Sequence, residues 1–121
     1  MSTLEQTPSS QFSKLLQDAF ERAETYLSSI SERRVFPSAE QLELLEHFNE
    51  PLPEHSSEAL EVLRLLDTYG SPNTVASQGG RYFGFVTGSV TPAALAAKLL
   101  GTAWDQNNGP RLSSPIAAKL E

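Results

Sequence analysis

The chain has 121 residues and a formal net charge of −6, with 39% hydrophobic and 20% charged residues. This composition is typical of a folded chain, and the length suits one domain or a piece of a larger one. The negative charge argues against nucleic acid and anionic membranes as partners, because both attract a basic surface. The absence of cysteine excludes disulfides and thiolate metal sites. Without a visible secretory signal or a long apolar run, the sequence predicts a soluble, cytoplasmic chain.

The first predicted element is an amphipathic helix over about residues 10–31, which would be about 33 Å long. It either lies along the whole domain or projects from it as an arm. A membrane-surface role is disfavoured because the polar face mixes acidic and basic residues. The apolar residues recur at spacings of three and four: Phe12, Leu15, Leu16, Ala19, Phe20, Ala23, Tyr26, Leu27 and Ile30.

Two shorter helices follow. Ser38 and Gln41 have the spacing of a capping box and predict a second helix that runs to about residue 48. The pattern of leucines predicts a third helix over about residues 57–69, with Gly70 at its C-terminal cap.

The amino-acid composition of the chain changes after the third helix. Residues 81–87 predict a short extended strand, rich in aromatic and β-branched residues. Thr91-Pro92 then predicts the start of a fourth helix that runs to about residue 105, and Ser114-Pro115 predicts the start of a fifth. The fifth helix stops after seven residues, so we expect the chain to be a piece of a longer protein. The predicted fold class is mainly α, with about four helices, a short extended segment and the start of a fifth helix.

Both ends of the fourth helix carry polar groups. Residues 88–92 can hold an anion, because unpaired N–H groups at a helix N-terminus attract a carboxylate or phosphate, and Gly88 lets a ligand approach the backbone. The same residues also fit an ordinary helix cap. Residues 104–108, Trp-Asp-Gln-Asn-Asn, fit either the polar rim of a pocket or plain C-capping.

The fourth helix itself is apolar almost all round, with Leu95, Leu99, Leu100 and Trp104 beside several alanines. Such a helix must be buried on most sides, and the single apolar stripes of the other helices can cover it only in part. The pattern predicts a missing partner, either more chain or another subunit. The alternative is the central helix of a small bundle.

Residues suited to catalysis or metal binding are scarce. His47 and His55 stand in acidic, polar surroundings without the spacing of a metal site. No serine lies in a nucleophile elbow. Lys98 either extends its amine to water from the apolar helix or, as an alternative, forms a Schiff base. The sequence therefore predicts no catalytic, cofactor-binding or metal-binding residue.

Taken together, GGRYFGFVTGSVTPAALAAKLLGTAWDQN and SSPIAAKLE resemble the N-terminal part of the group II pyridoxal-phosphate-dependent decarboxylases, relatives of aromatic-L-amino-acid and glutamate decarboxylases. The resemblance is dense over residues 74–121 and looser over residues 1–70. It departs at Gly79-Gly80, where many members have His-Pro. The family has the α/β architecture of fold type I, so the resemblance implies that this mainly α chain is the N-terminal part of such an enzyme.

The resemblance also implies roles for the residues. Residues 1–73 would form a helical arm for contacts with the second subunit of a homodimer, and residues 74–121 would form the substrate side and the start of the connection to the large domain. The implied contacts to an amino-acid substrate are Phe85, Val86, Thr87, Gly88, Asn107 and Gly109. Asn107 and Gly109 would reach the neighbouring subunit's pocket.

Pyridoxal 5'-phosphate would belong to the full-length enzyme. The family's phosphate site, ring-stacking histidine, pyridinium-pairing aspartate and Schiff-base lysine match nothing within these residues, so we expect the chain alone to bind no cofactor and to be inactive. The functional expectation is the N-terminal fragment of a carboxy-lyase. The alternative is a free-standing helical domain for protein interaction without catalysis.

Overall fold

The computed structural model describes residues 8–107 and 109–121, and these residues contain five α-helices and no strand. The predicted mainly α architecture is confirmed for this part of the chain. Its residues form two compact units that divide between Thr87 and Gly88. The proposed functional division between residues 73 and 74 stays a prediction.

Helix α1 spans Pro8–Ser28, close to the predicted range of 10–31. Leu15, Tyr26 and Leu27 of its predicted apolar stripe are half-buried. Phe12 and Phe20, which belong to the same predicted stripe, are exposed. The stripe is therefore wider than the surface that the rest of this unit covers.

Helix α2 spans Ala39–Glu43 and continues as a 3-10 helix over Leu44–Phe48. The predicted capping box is present. The backbone N–H of Gln41 donates to the Ser38 hydroxyl at 3.3 Å, and the backbone N–H of Ser38 donates to the Gln41 side chain at 3.0 Å. These two bonds satisfy donors that the first turn of a helix would otherwise leave unpaired.

Helix α3 spans Ala59–Leu65 and runs into a π-helical turn over Leu66–Gly70, followed by a 3-10 turn over Ser71–Asn73. The predicted cap at Gly70 is wrong, because Gly70 has a right-handed φ of −85° and the chain continues into another helical turn. A glycine cap of the usual kind requires a left-handed backbone. The π turn instead places Tyr69 flat against His47, with ring centroids 3.8 Å apart.

The buried interior of the N-terminal unit is small. Of its described residues only Pro37 and Ala76 are buried. The backbone N–H of Ala76 donates to the carbonyl of Val35 at 2.9 Å, and the Asn73 side chain donates to the carbonyl of Gln41 at 2.7 Å. These bonds join the end of the 3-10 turn to α2, and the residues after the turn to the segment between α1 and α2.

The predicted strand over residues 81–87 is wrong. The backbone turns at Phe85 and Val86, which have left-handed φ angles of 51° and 53°. A strand needs a neighbour to accept its ladder hydrogen bonds, and the described residues provide no second strand. The aromatic and β-branched composition therefore reflects exposed apolar side chains rather than an extended backbone.

The C-terminal unit contains α4 over Pro92–Trp104 and α5 over Pro115–Leu120, both close to their predicted starts and ends. The hydroxyl of Thr91 accepts from the backbone N–H of Ala94, and that of Ser114 accepts from the backbone N–H of Ala117, each at 3.2 Å. Both predicted N-caps are confirmed. Ser114 is completely buried.

Within the described residues, no helix combines the length and the apolar character that crossing a bilayer requires.

Candidate functional site

The first group of predicted site residues lies in a tight turn over residues 84–87. The backbone N–H of Thr87 donates to the carbonyl of Gly84 at 3.4 Å, and Phe85 and Val86 occupy the two central, left-handed positions. The Thr87 hydroxyl donates to the phenol oxygen of Tyr82 at 3.0 Å. Tyr82 and Thr87 thus hold the two sides of the turn together.

A side chain at Gly84 would require the Tyr82 ring to move. A Cβ atom at Gly84 would lie 2.9 Å from the Tyr82 hydroxyl and 3.0–3.1 Å from its ring carbons. The absence of a side chain lets the Tyr82 ring pack over the backbone, which leaves Phe85 and Val86 at the outside of the turn. Phe85 is 93% exposed, so the turn presents an apolar tip to its surroundings.

The second group lies before α4. Gly88 is exposed, and a Cβ atom there would meet nothing within 4 Å. Thr91 caps the helix and Pro92 takes its first position, where a missing N–H costs no hydrogen bond. The plain capping interpretation accounts for Thr91 and Pro92.

The third group lies after α4. Asp105 ends the helix with a left-handed φ of 50°, and the Gln106 amide donates to the carbonyl of Trp104 at 2.9 Å. Asn107 is exposed. Gly109 is half-buried, and a Cβ atom there would lie 3.1 Å from the Ser113 hydroxyl. Asn108, part of the same predicted polar end, lies outside the described residues.

The predicted site residues divide between the two units. Phe85, Val86 and Thr87 belong to the N-terminal unit, whereas Gly88, Asn107 and Gly109 belong to the C-terminal unit. None of the six carries a charge, so they are suited to apolar contact and hydrogen bonding rather than to proton transfer. None of them lines the three cavities found in the N-terminal unit.

The described residues do not fit pyridoxal phosphate. Its aldehyde needs a lysine in an enclosed site with positive partners for the phosphate. Lys14, Lys98 and Lys119 are all exposed. The largest of the three cavities, about 510 Å³, includes Lys14 but also the carboxylates of Asp18 and Glu58, which repel a phosphate group. No chemical step through the cofactor is therefore assigned to these residues.

An ionic network that the sequence did not reveal joins α1 to the π turn. Arg22 donates to Asp18 at 2.6 Å and to Asp67 at 2.9 Å, and Asp67 also accepts from the Ser71 hydroxyl. Burial alone would raise the pKa of Asp67, but the hydrogen bonds from Ser71 and Arg22 and the charges of Arg22 and Arg33 together hold it below the usual range. The spacing of four between Asp18 and Arg22 could have been read from the sequence. The partner 45 residues away could not.

Metal-binding clusters of three or more histidine, aspartate or glutamate side chains do not occur among the residues that the structure describes. No protein-family model matches the chain, and no curated protein matches it significantly.

Proposed function

We propose that the chain is the N-terminal segment of a group II pyridoxal-phosphate-dependent amino-acid decarboxylase that acts as a homodimer in the cytoplasm. In this proposal the N-terminal helices contribute dimer contacts. The turn at Phe85–Val86 and the residues that flank α4 contribute part of the substrate pocket. The reacting groups and the cofactor come from the large α/β domain of the same enzyme.

The surface of α4 is the observation that carries the proposal. Leu95 and Leu99 stand one helical turn apart on one side, and Leu99 is 58% exposed. Leu100 and Trp104 stand one turn apart on another side, and Trp104 is 48% exposed. At 3.6 residues per turn these two pairs lie about 140° apart around the axis. A single flat partner cannot cover both sides.

A helix with two widely separated apolar sides is favoured between two bodies. Burial of one leucine or larger apolar side chain contributes about 1.5–3 kcal/mol, so covering both sides supplies a strong driving force for packing. In the resembled family the matching helix is enclosed by the arm, the large domain and the second subunit. The exposed sides of α4 thus support a place within a larger dimeric enzyme.

The decisive test is the mass and cofactor content of the native protein. Antibodies raised against this chain should capture from its source cells a protein heavier than 13.2 kDa. Borohydride reduction should then fix pyridoxal to a lysine on a peptide outside residues 1–121. Capture of a 13.2 kDa species alone, without a pyridoxyl-lysine peptide, would contradict the proposal.

The exposed side of α1 supports a second candidate, a free-standing helical domain that binds another protein. Phe12, Leu16 and Phe20 recur at spacings of four and are all exposed, a pattern that suits docking against an apolar groove. This candidate expects the native protein to have the mass of the chain itself and to bind no pyridoxal phosphate. The same capture experiment therefore separates the two.

A further inference from the structure

Positive charge is concentrated in one place on the N-terminal unit, although the chain as a whole is acidic. Arg33 and Arg34 lie after α1. Arg81, near the other end of the unit in sequence, donates to backbone carbonyls of the same segment. The ion pairs among the described residues involve Arg22 and Arg64 instead. Three guanidinium groups therefore share one region without a carboxylate bound directly to any of them.

Arg33 is held firmly by neutral groups. Its Nε donates to the Ser29 hydroxyl at 3.1 Å, and its Nη1 donates to the carbonyl of Ser71 at 3.2 Å. Its guanidinium carbon lies 4.3 Å from the centroid of the Tyr26 ring. These contacts fix the orientation of the group, and none of them is made by a carboxylate.

Arg81 and Arg34 also donate hydrogen bonds to neutral backbone carbonyls. Nη2 of Arg81 donates to the carbonyl of Ser31 at 2.9 Å and also to that of Arg33, while Nε of Arg34 donates to the carbonyl of Phe36 at 3.3 Å. A guanidinium has five N–H donors. Each of these arginines thus keeps donors that the described residues do not use.

The arginines line two cavities that share Arg33 and the buried Ala76. One, of about 320 Å³, contains Arg33 and Arg34, and the other, of about 190 Å³, contains Arg33 and Arg81. The first cavity is also lined by Gln41, Ser71 and Thr74. Ala76 is only 3% exposed, and its backbone N–H donates to the carbonyl of Val35. The arginines therefore lie beside a well-packed part of the unit.

We propose that the larger of these cavities binds a compact phosphate group, either inorganic phosphate or a phosphate monoester, through Arg33 and Arg34. Planar guanidinium donors match the oxygens of phosphate in pairs, and the cavity volume suits a small ligand. This inference goes beyond the proposed decarboxylase function and does not depend on it.

Two carboxylates lie near enough to oppose an anion. Asp67 already accepts hydrogen bonds from Arg22 and Ser71. These bonds offset part of its negative charge, so it repels an anion beside Arg33 less strongly. Glu32 lines the cavity itself. Glu32 is an acceptor, and hydrogen phosphate and dihydrogen phosphate have an O–H that can donate to it, whereas a carboxylate ligand has none. The cavity is therefore expected to prefer phosphate to a dicarboxylate.

The test is a titration of the full chain with inorganic phosphate at constant ionic strength, followed by heteronuclear NMR. Saturable shifts are expected at the Nε–H signals of Arg33 and Arg34 and at the amides of Ser71 and Thr74. Arg34→Gln should weaken the affinity about tenfold or more, because it removes a charge-assisted hydrogen bond to the phosphate. Arg34 is exposed and makes one backbone bond, so its loss should leave the fold intact.

Arg111→Gln is the matched control, because it removes the same charge from an exposed arginine of the C-terminal unit. Its phosphate affinity should equal that of the unchanged chain. Arg33→Lys is the second binding variant, since it keeps the charge but removes the planar donor pair, and it should also weaken binding. Glycerol 3-phosphate in place of inorganic phosphate distinguishes a monoester from the free ion as the better ligand.

The proposal is overturned if the shifts do not saturate by about 20 mM phosphate, because such weak binding is no more than general charge attraction. It is equally overturned if Arg34→Gln and Arg111→Gln weaken binding alike, because that result means a general charge effect. Succinate that binds as tightly as phosphate would also contradict it.

Discussion

Arg22 on α1 and Asp67 on the π turn form a bond of 2.9 Å between segments that lie 45 residues apart in the sequence. Asp18 completes the pairing from within α1, and the Ser71 hydroxyl completes it from beyond the π turn. In a unit with few buried side chains, this cross-link specifies how α1 lies against the turn. Each side chain remains about 27–30% exposed, so solvent weakens the pair without removing it.

We predict that Asp67→Asn destabilises the N-terminal unit at neutral pH and makes its stability less sensitive to acid. Because the pKa of Asp67 is lower in the folded chain than in the unfolded one, its contribution is present above the unfolded pKa, about 3.9. That contribution is lost as the pH falls through the folded value. Thermal unfolding of the chain, followed by circular dichroism between neutral pH and about pH 3, measures both effects.

Glu61→Gln is the control for this prediction. Arg64 lowers the pKa of Glu61 through a hydrogen bond, but the pair lies within α3 and joins no separate elements. It should therefore change the melting temperature less than Asp67→Asn does. An acid dependence of Asp67→Asn equal to that of the unchanged chain would show that the cross-link contributes nothing.

Thr91→Ala should destabilise the first turn of α4 by about 1 kcal/mol, because the backbone N–H of Ala94 loses its side-chain acceptor. Amide hydrogen exchange at Ala94 measures this directly and should speed up about fivefold or more. Thr102→Ala makes the same substitution inside the helix, where the hydroxyl donates to the Lys98 carbonyl, and should leave exchange at Ala94 unchanged. Equal effects of the two substitutions would contradict the capping role.

Val86→Gly should stabilise the N-terminal unit by about 0.5–1 kcal/mol. A left-handed backbone costs a side-chain-bearing residue about 1–2 kcal/mol, and glycine's larger loss of entropy on folding offsets part of the gain. Val86 is fully exposed, so the substitution removes no packing. Urea denaturation gives the free energy of unfolding.

Val75→Gly provides the comparison, because Val75 is not among the residues with positive φ; it is 40% exposed, so the substitution also removes some packing. It should destabilise the unit, since glycine there adds flexibility to the unfolded chain and relieves no strain. A loss of stability in Val86→Gly as large as that in Val75→Gly would show that the turn is not strained.

The features that the sequence predicted correctly depend on near neighbours. Ser38 pairs with Gln41, Thr91 with Ala94 and Ser114 with Ala117, each across three residues, so the spacing alone carries the information. Capping residues act on the turn that immediately follows them, and no tertiary packing can replace that function easily.

The features that the sequence missed depend on residues far apart or on the lack of a partner. Arg81 reaches the carbonyl of Ser31 across 50 residues, and no local pattern marks that approach. At Phe85 and Val86 the composition favours a strand, but strand propensity expresses itself only where a neighbouring strand accepts the hydrogen bonds. The predicted substrate residues were assigned by resemblance alone, and their contacts with a ligand stay predictions.

We predict that the isolated chain self-associates through α4 and that Leu99→Lys reduces this self-association. Leu99 is among the most exposed apolar residues of α4, and two copies of the chain can bury this side against each other. Removing one leucine contact of about 1.5–3 kcal/mol should weaken association about tenfold or more, as measured by light scattering across a dilution series.

Leu52→Lys makes the same change at a loop residue that is even more exposed and should have little effect, because an isolated loop side chain belongs to no apolar surface. Equal effects would mean that the added charge alone keeps the copies apart. A chain that is monomeric before any substitution would remove the reason to place α4 against a partner.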